Sequence, residues 1–291
     1  MKPPPFEYFC PATLDEAIGL LSERENAKVL AGGQSLMAML NLRYVFPDVL
    51  VDINNLHDLA SIDVTAERIR IGAMTRQRKI EVDAALFARA PIFRSALKLV
   101  GHRQTRNRGT IGGSLCHLDP ASELPLLALL LDAVVEAAGP SGRRRIPARD
   151  FIAGFMMPGI AADEIVTAIE FSPWADTHTF GFNEFARRHG DFAIASSAVH
   201  IERDSSLVIQ RAAIAIGGIG SVPQRHFAGE KLLVGTSGDA GAIAAVVEAC
   251  DQLEVIGDFH GGPEYRLSVA RTMLRRSLHS ALPGPNRPVA A

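Results

Sequence analysis

Two short glycine segments, Ala31-Gly32-Gly33-Gln34-Ser35-Leu36 and Thr110-Ile111-Gly112-Gly113-Ser114-Leu115, constrain this chain more than any other feature of it. Paired glycines reach backbone angles that a Cβ forbids and let main-chain N–H groups come close to a ligand. Several such groups in a concave nest neutralise a diphosphate without a lysine, and the hydroxyls of Ser35 and Ser114 add donors. A dinucleotide pyrophosphate fits that chemistry. Either segment alone reads first as a simple chain reversal, a reading that their recurrence in one domain weakens.

The surrounding pattern places them. Thr13-Leu14-Asp15-Glu16 fits a capping box, and Leu14, Ala17, Ile18 and Leu21 recur at helical spacing, so a helix is expected to about Arg24. A strand at Lys28 to Ala31 runs into the first glycine turn, a short helix follows from Leu36, and Val49 to Ile53 reads as a buried strand. Ile69 to Ile71 suggests another strand. Thr75 is placed to cap a helix leading into a longer helical stretch from about Ala84 to Val100, ahead of the second glycine turn. Asp119-Pro120 and Pro125 frame an apolar helix through Leu131, with strands at Val134 to Ala137 and Glu164 to Phe171. A polar, turn-rich stretch at Ser172 to Asp176 is read as the domain boundary. Beyond it, strands at Phe192 to Ile201 and Val208 to Ile216 precede helices at Ala240 to Leu253 and Glu264 to Leu278, the pattern of an α+β domain with an antiparallel sheet.

Composition narrows the function. The 291 residues suffice for about two domains. A formal charge of −2 gives no field to draw in nucleic acid or an anionic membrane. Cys10, Cys116 and Cys250 stand apart with no CxxC pair, so this chain cannot build its own iron–sulfur or four-thiolate zinc site, and any cluster belongs on another chain. The opening residues show no apolar h-region, and no apolar run is long enough to span a bilayer, so a cytoplasmic location is expected. HExxH, GxSxG, P-loop and GxGxxG signatures are absent, which argues against a hydrolase or an ordinary Rossmann enzyme.

Other residues stay open between two roles. Asp119 and Glu123 lie where carboxylates would accept from ribose or ribityl hydroxyls, and equally where they would cap a helix and favour its dipole. His102, Arg103, Arg106 and Arg108 would neutralise phosphate, but such a run more often forms a solvated or subunit-facing surface. Phe192 would set its ring against an aromatic cofactor or join a core. His117 has no partner at metal-ligand spacing, and no metal site and no catalytic dyad is expected.

At these residues the sequence resembles the FAD-binding medium subunits of the molybdenum hydroxylases, the group of carbon monoxide dehydrogenase and the flavin domain of xanthine dehydrogenase. The blocks at 31–56, 69–75, 106–125, 187–196, 214–225 and 264–278 follow the family's order over nearly the whole chain. The resemblance implies a p-cresol-methylhydroxylase-type FAD domain over 1–174, in two α/β subdomains of about 1–56 and 57–174. The family's C-terminal flavoprotein domain, antiparallel sheet plus helices, would take 175–291. It implies that Val29, Leu30, Ala31, Gly32, Gly33, Gln34, Ser35 and Leu36 with Thr110, Gly112, Gly113 and Ser114 hold the pyrophosphate and ribityl chain of FAD, with His117, Asp119 and Glu123 beyond them. Val166, Asp191 and Phe192 would lie near the flavin ring. The chain departs from common family residues at Glu123, where Asp is usual, at Ser114 and Phe192, where Asn and Tyr also occur, and at Asn183, where xanthine dehydrogenases carry a lysine.

The implied partners are a small subunit with two [2Fe–2S] clusters and a large subunit with a molybdopterin cofactor, assembled as a dimer of heterotrimers. The implied task is to take electrons from those clusters and pass them to an external acceptor such as NAD, quinone, cytochrome or dioxygen. In such a protein the flavin does the redox chemistry, and the chain supplies position, potential and access. A flavin-free assembly or docking subunit and a stand-alone flavin reductase or oxidase are the rival readings.

Overall fold

A computed structural model describes residues 2–282. Its contacts divide the chain into two compact units, one of residues 1–86, 102–118 and 133–172, the other of 87–101, 119–132 and 173–291.

The first unit opens on a parallel sheet in the order β1 (Glu7–Phe9), β3 (Val49–Asp52), β2 (Ala27–Leu30). Helix α1 (Leu14–Glu23) covers it. Thr13 caps that helix by accepting from Glu16 N–H as the capping-box spacing predicts, while the Glu16 carboxylate accepts from Ala12 N–H at 2.8 Å, one residue before the N-cap N–H that a capping box engages. Ala17 and Leu21 are buried against Val49, Val51 and Ile53, so the apolar stripe of α1 and the inner face of β3 share one core. Helix α2 (Leu36–Asn41) leaves the first glycine loop.

The same unit holds an antiparallel five-stranded sheet in the order β4 (Ile62–Val64), β5 (Ile69–Gly72), β10 (Ile165–Phe171), β6 (Val134–Gly139), β7 (Gly142–Pro147). A short hairpin, β8 (Ile152–Gly154) with β9 (Met157–Pro158), follows the one-turn helix α9 (Ala148–Phe151). Arginines of β7 meet carboxylates across the sheet, Arg145 with Glu170 at 2.7 Å and Arg144 with Glu164 at 2.6 Å.

The helix expected from Ala84 to Val100 is broken into α4 (Ala84–Arg89) and α5 (Ile92–Leu97), after α3 (Gln77–Val82). Pro91 interrupts it, since the residue before proline is pushed out of the helical region and proline has no N–H. Thr75 caps nothing and donates to Ser61 O instead. The second glycine segment is likewise no turn. After α6 (Arg103–Arg108), Thr110 caps α7 (Ile111–His117), and Gly112 and Gly113 lie inside that helix.

In the second unit an antiparallel sheet runs β11 (Thr179–Phe185), β12 (Ala195–Arg203), β13 (Ile209–Gly217), β14 (Gln224–Arg225). Helix α12 (Pro263–Ala281) packs on β11 and β12, and α8 (Glu123–Leu130) packs on β12, β13 and β14. Every residue of β12 from Ala195 to Ile201 is buried, as a strand covered on both faces must be. Ile214, Ile216, Leu274 and Leu278 build the core with α10 (Phe227–Leu233) and α11 (Ala240–Glu248). A Cβ on Gly181 would lie 2.0 Å from Ser277 O, so only glycine lets α12 approach β11 this closely. No helix among the described residues is long and apolar enough to cross a membrane.

Candidate functional site

The first unit brings the two glycine segments together. A Cβ on Gly32 would sit 2.3 Å from Arg108 O and 2.9 Å from Gly109 Cα, so the first loop rests directly on the backbone that leads into α7. A Cβ on Gly113 would lie 3.7 Å from that of Ala31. Gly33 has φ +73°, the left-handed region that glycine enters freely. Val29 and Leu30 end β2 half-buried and deliver the loop to this place.

The two segments then differ in what their N–H groups do. At the start of α7, Ile111 donates to Thr75 O, Gly112 to Ala73 O, Gly113 to the Thr110 hydroxyl and Ser114 to Thr110 O. Those four donors are engaged within the protein, and Gly112 and Gly113 also pack closely. A Cβ on Gly112 would meet that of Ala73 at 2.6 Å, and one on Gly113 would meet Thr110 Oγ1 at 2.8 Å. In the first loop the N–H groups of Gly32, Gly33, Gln34, Ser35 and Leu36 donate to no acceptor among the described residues, and none of these residues is buried. Five adjacent N–H donors are thus left open on this loop, the backbone feature from which anion nests are built. The hydroxyls of Ser35 and Ser114 have no protein partner there either.

His117 is the last, half-buried residue of α7. Val166 is buried in β10 at an irregularity in its pairing with β6, where Thr167 O accepts from Ala73 N–H. Of the basic run at 102–108, Arg106 is buried with Glu81 at 2.9 Å, an internal ion pair and not a solvated surface. Burial pushes the Glu81 carboxyl up, but hydrogen bonds from Arg106 and Arg78 outweigh it and hold it below the ordinary glutamate range.

The remaining candidates lie in the second unit. Asp119 caps no helix; it accepts from Ala121 N–H at 2.8 Å and closes a turn before Ser122, the residue that precedes α8. Glu123 is the first residue of α8, and the charge of Glu184 on β11 acts on its carboxyl. Burial, then the neighbouring Glu184 charge, pushes Glu123 up to about 8; burial pushes Glu184 up to about 7. Two carboxyls sharing one site cannot both ionise cheaply, so at neutral pH the pair keeps a proton, and a carboxyl expected only to accept also carries an O–H. Asp191 sits in a turn, donating from N–H to Arg188 O, and Phe192 is 67% exposed, which removes the core reading of that ring.

Sequence reasoning passed over Asn54, Arg76 and Glu184. Each gains its place from a partner distant in sequence, and no local pattern marks them. Among the described residues, no group of three or more His, Cys, Asp or Glu side chains is arranged to hold a metal ion.

Residues 4–174 match the family described as the FAD binding domain in molybdopterin dehydrogenase, and residues 180–281 match the CO dehydrogenase flavoprotein C-terminal domain. The chain is 38% identical to the 6-hydroxypseudooxynicotine dehydrogenase complex subunit alpha of Paenarthrobacter nicotinovorans, over 97% of this chain and 96% of that one. It is 33% identical to the carbon monoxide dehydrogenase medium chain of Hydrogenophaga pseudoflava, over 97% and 98%. Among solved structures, carbon monoxide dehydrogenase from Hydrogenophaga pseudoflava, lacking the Mo-pyranopterin moiety of its molybdenum cofactor, matches with TM-score 0.93, 34% identity and coverage of 97% and 98%.

Proposed function

Since the chain belongs to the FAD-binding medium subunits of the molybdenum hydroxylases, a family of oxidoreductases, we propose that it is the electron-transfer subunit between the [2Fe–2S] clusters of a small partner and an external acceptor. A large molybdopterin subunit completes the assembly in this proposal, as a dimer of heterotrimers. The relatives' names support the partners, being a complex subunit and a medium chain. Three cysteines with no disulfide among them, one of them exposed, fit work in the reducing cytoplasm.

The residues fit the cofactor that the family carries. The observation behind the assignment is the run of open donors from Gly32 to Leu36, on a loop that admits no Cβ at Gly32 and needs positive φ at Gly33. In this reading those five N–H groups, with the Ser35 and Ser114 hydroxyls, take the FAD pyrophosphate. Val29, Leu30 and Ala31 hold the loop's entry, and Thr110, Gly112 and Gly113 hold the surface beneath it. The family resemblance assigns His117, Asp119, Glu123, Val166, Asp191 and Phe192 to the same cofactor. Bound FAD supplies the redox chemistry, and this chain's residues fix its position.

The test is Gly33→Val in the assembled complex. A β-branched residue at φ +73° is a strained outlier, so the variant is expected to assemble and to have lost most of its FAD. Normal FAD content would overturn the nest. A wild-type complex that assembles fully and takes up no FAD on reconstitution would favour the docking-subunit reading.

A further inference from the structure

The open loop carries no charge of its own, since residues 31–36 include no lysine, arginine or histidine. Its shape is held from below. Asn54 Nδ2 donates to Ala31 O at 2.8 Å, and the Asn54 backbone N–H is fixed to Asp52 Oδ1 at 2.8 Å. The other side of the Asn54 amide accepts from Arg76 Nη2 at 2.6 Å. Arg76 Nη1 donates to Arg108 O at 2.5 Å, and that carbonyl is the one against which Gly32 packs without room for a Cβ. The Arg76 backbone pairs with Thr110, and Gln77 N–H donates to Gly109 O at 2.8 Å, so the base of this arrangement is anchored to the chain entering α7.

From this juxtaposition we infer that Arg76 and Asn54 form a strut which sets the conformation of Ala31 and Gly32, and so decides how the N–H groups of the nest converge on a pyrophosphate. The inference rests on the nest reading given above. A guanidinium suits the place because its planar fork reaches two fixed acceptors at once, a carbonyl and an amide oxygen, which an ammonium on a flexible stem does not do. Asn54 suits it because one planar amide both accepts from Arg76 and donates to the loop. Both are positioning residues: neither needs to touch the cofactor. Arg76 is partly desolvated, and burial together with the Arg108 charge weakens its hold on its proton while Asp52 strengthens it, so its cost is offset only while the two acceptors stay in place.

The experiment is a double-mutant cycle on the full chain in its assembled complex, measuring the FAD dissociation constant of wild type, Arg76→Met, Asn54→Ala and the double variant. Arg76→Lys and Gly33→Val are measured beside them. Loss of one charge-assisted hydrogen bond corresponds to about tenfold, so each single variant is expected to bind FAD about tenfold or more weakly. The double variant is expected to be no weaker than the worse single one, because residues acting as one unit are not additive. Arg76→Lys is expected to recover little. The melting temperature of the FAD-free complex is expected to change little in the Arg76 and Asn54 variants. Normal affinity in Arg76→Met and Asn54→Ala, with loss in Gly33→Val, would overturn the strut and leave the nest standing. Additive losses, or full recovery by Arg76→Lys, would also overturn it, the latter by assigning the effect to charge alone. Normal affinity in Gly33→Val would overturn the nest itself.

Discussion

Gly32→Ala adds a single methyl group, and its consequence follows from the structure. The new Cβ would lie 2.3 Å from Arg108 O, whereas an unstrained carbon–oxygen contact is about 3.3 to 3.6 Å, so the loop must lift by about 1 Å. A donor set about 2.9 Å from a phosphate oxygen would then stand near 3.9 Å, beyond hydrogen-bonding reach. Losing two such charge-assisted bonds costs about 3 to 6 kcal/mol, or about two to four powers of ten in the FAD dissociation constant. The overpacking itself costs the fold about 1 to 3 kcal/mol, so affinity is best measured well below the melting temperature. The assay is released FAD per chain and a fluorescence titration of the FAD-depleted complex. Gly19→Ala is the control: it lies in α1 with nothing within 4 Å of an added Cβ, and it is expected to stabilise by about 0.5 to 1 kcal/mol with FAD content unchanged. If Gly32→Ala binds FAD within threefold of wild type, the close-packing argument is wrong.

Because Glu123 and Glu184 are both raised in the folded protein, the folded state holds more protons than the unfolded one between the ordinary glutamate range and about pH 8. Their contribution is therefore full in acid and lost as pH rises through about 7 to 8, and urea unfolding of Glu184→Gln should show a flatter decline over pH 6 to 9; parallel profiles would refute the coupling. Glu81→Gln leaves Arg106 buried beside a neutral partner, at a cost of about 3 to 5 kcal/mol, and a melting temperature lowered by less than about 6 °C would contradict this. Phe192→Ala removes an exposed ring, so stability should hold within about 0.5 kcal/mol while FAD binds more weakly; unchanged affinity would take Phe192 out of the candidate set.

Much of this was legible in local pattern. The strand, glycine loop, helix and strand between Ala27 and Asp52 carry their own signals, as does the capping box of α1. The second glycine segment misled because glycine is a poor helix former, and only tertiary contacts with Ala73 and with the Thr110 cap show why two stand inside α7. Strand β7 was hidden because Gly142-Arg143-Arg144-Arg145 looks like a solvated run until cross-sheet carboxylates are seen. Strand β11 was hidden by Gly181, which is there for the close approach of α12. At the site, the glycines named themselves. Asn54 and Arg76 did not, since the partners that join them to the loop, to each other and to Arg108 lie 22 or more positions away, and a lone Asn or Arg carries no period or motif.

In the function proposed for this chain, the backbone from Gly32 to Leu36 takes the FAD pyrophosphate while the N–H groups at the start of α7 are already engaged within the protein. This is tested most directly by amide nuclear magnetic resonance of the FAD-depleted chain titrated with FAD. The amides of Gly32, Gly33, Gln34, Ser35 and Leu36 should move strongly downfield as new hydrogen bonds form, and those of Ile111, Gly112 and Gly113 should move much less. Binding of one FAD per chain with the five loop amides unmoved would contradict the claim.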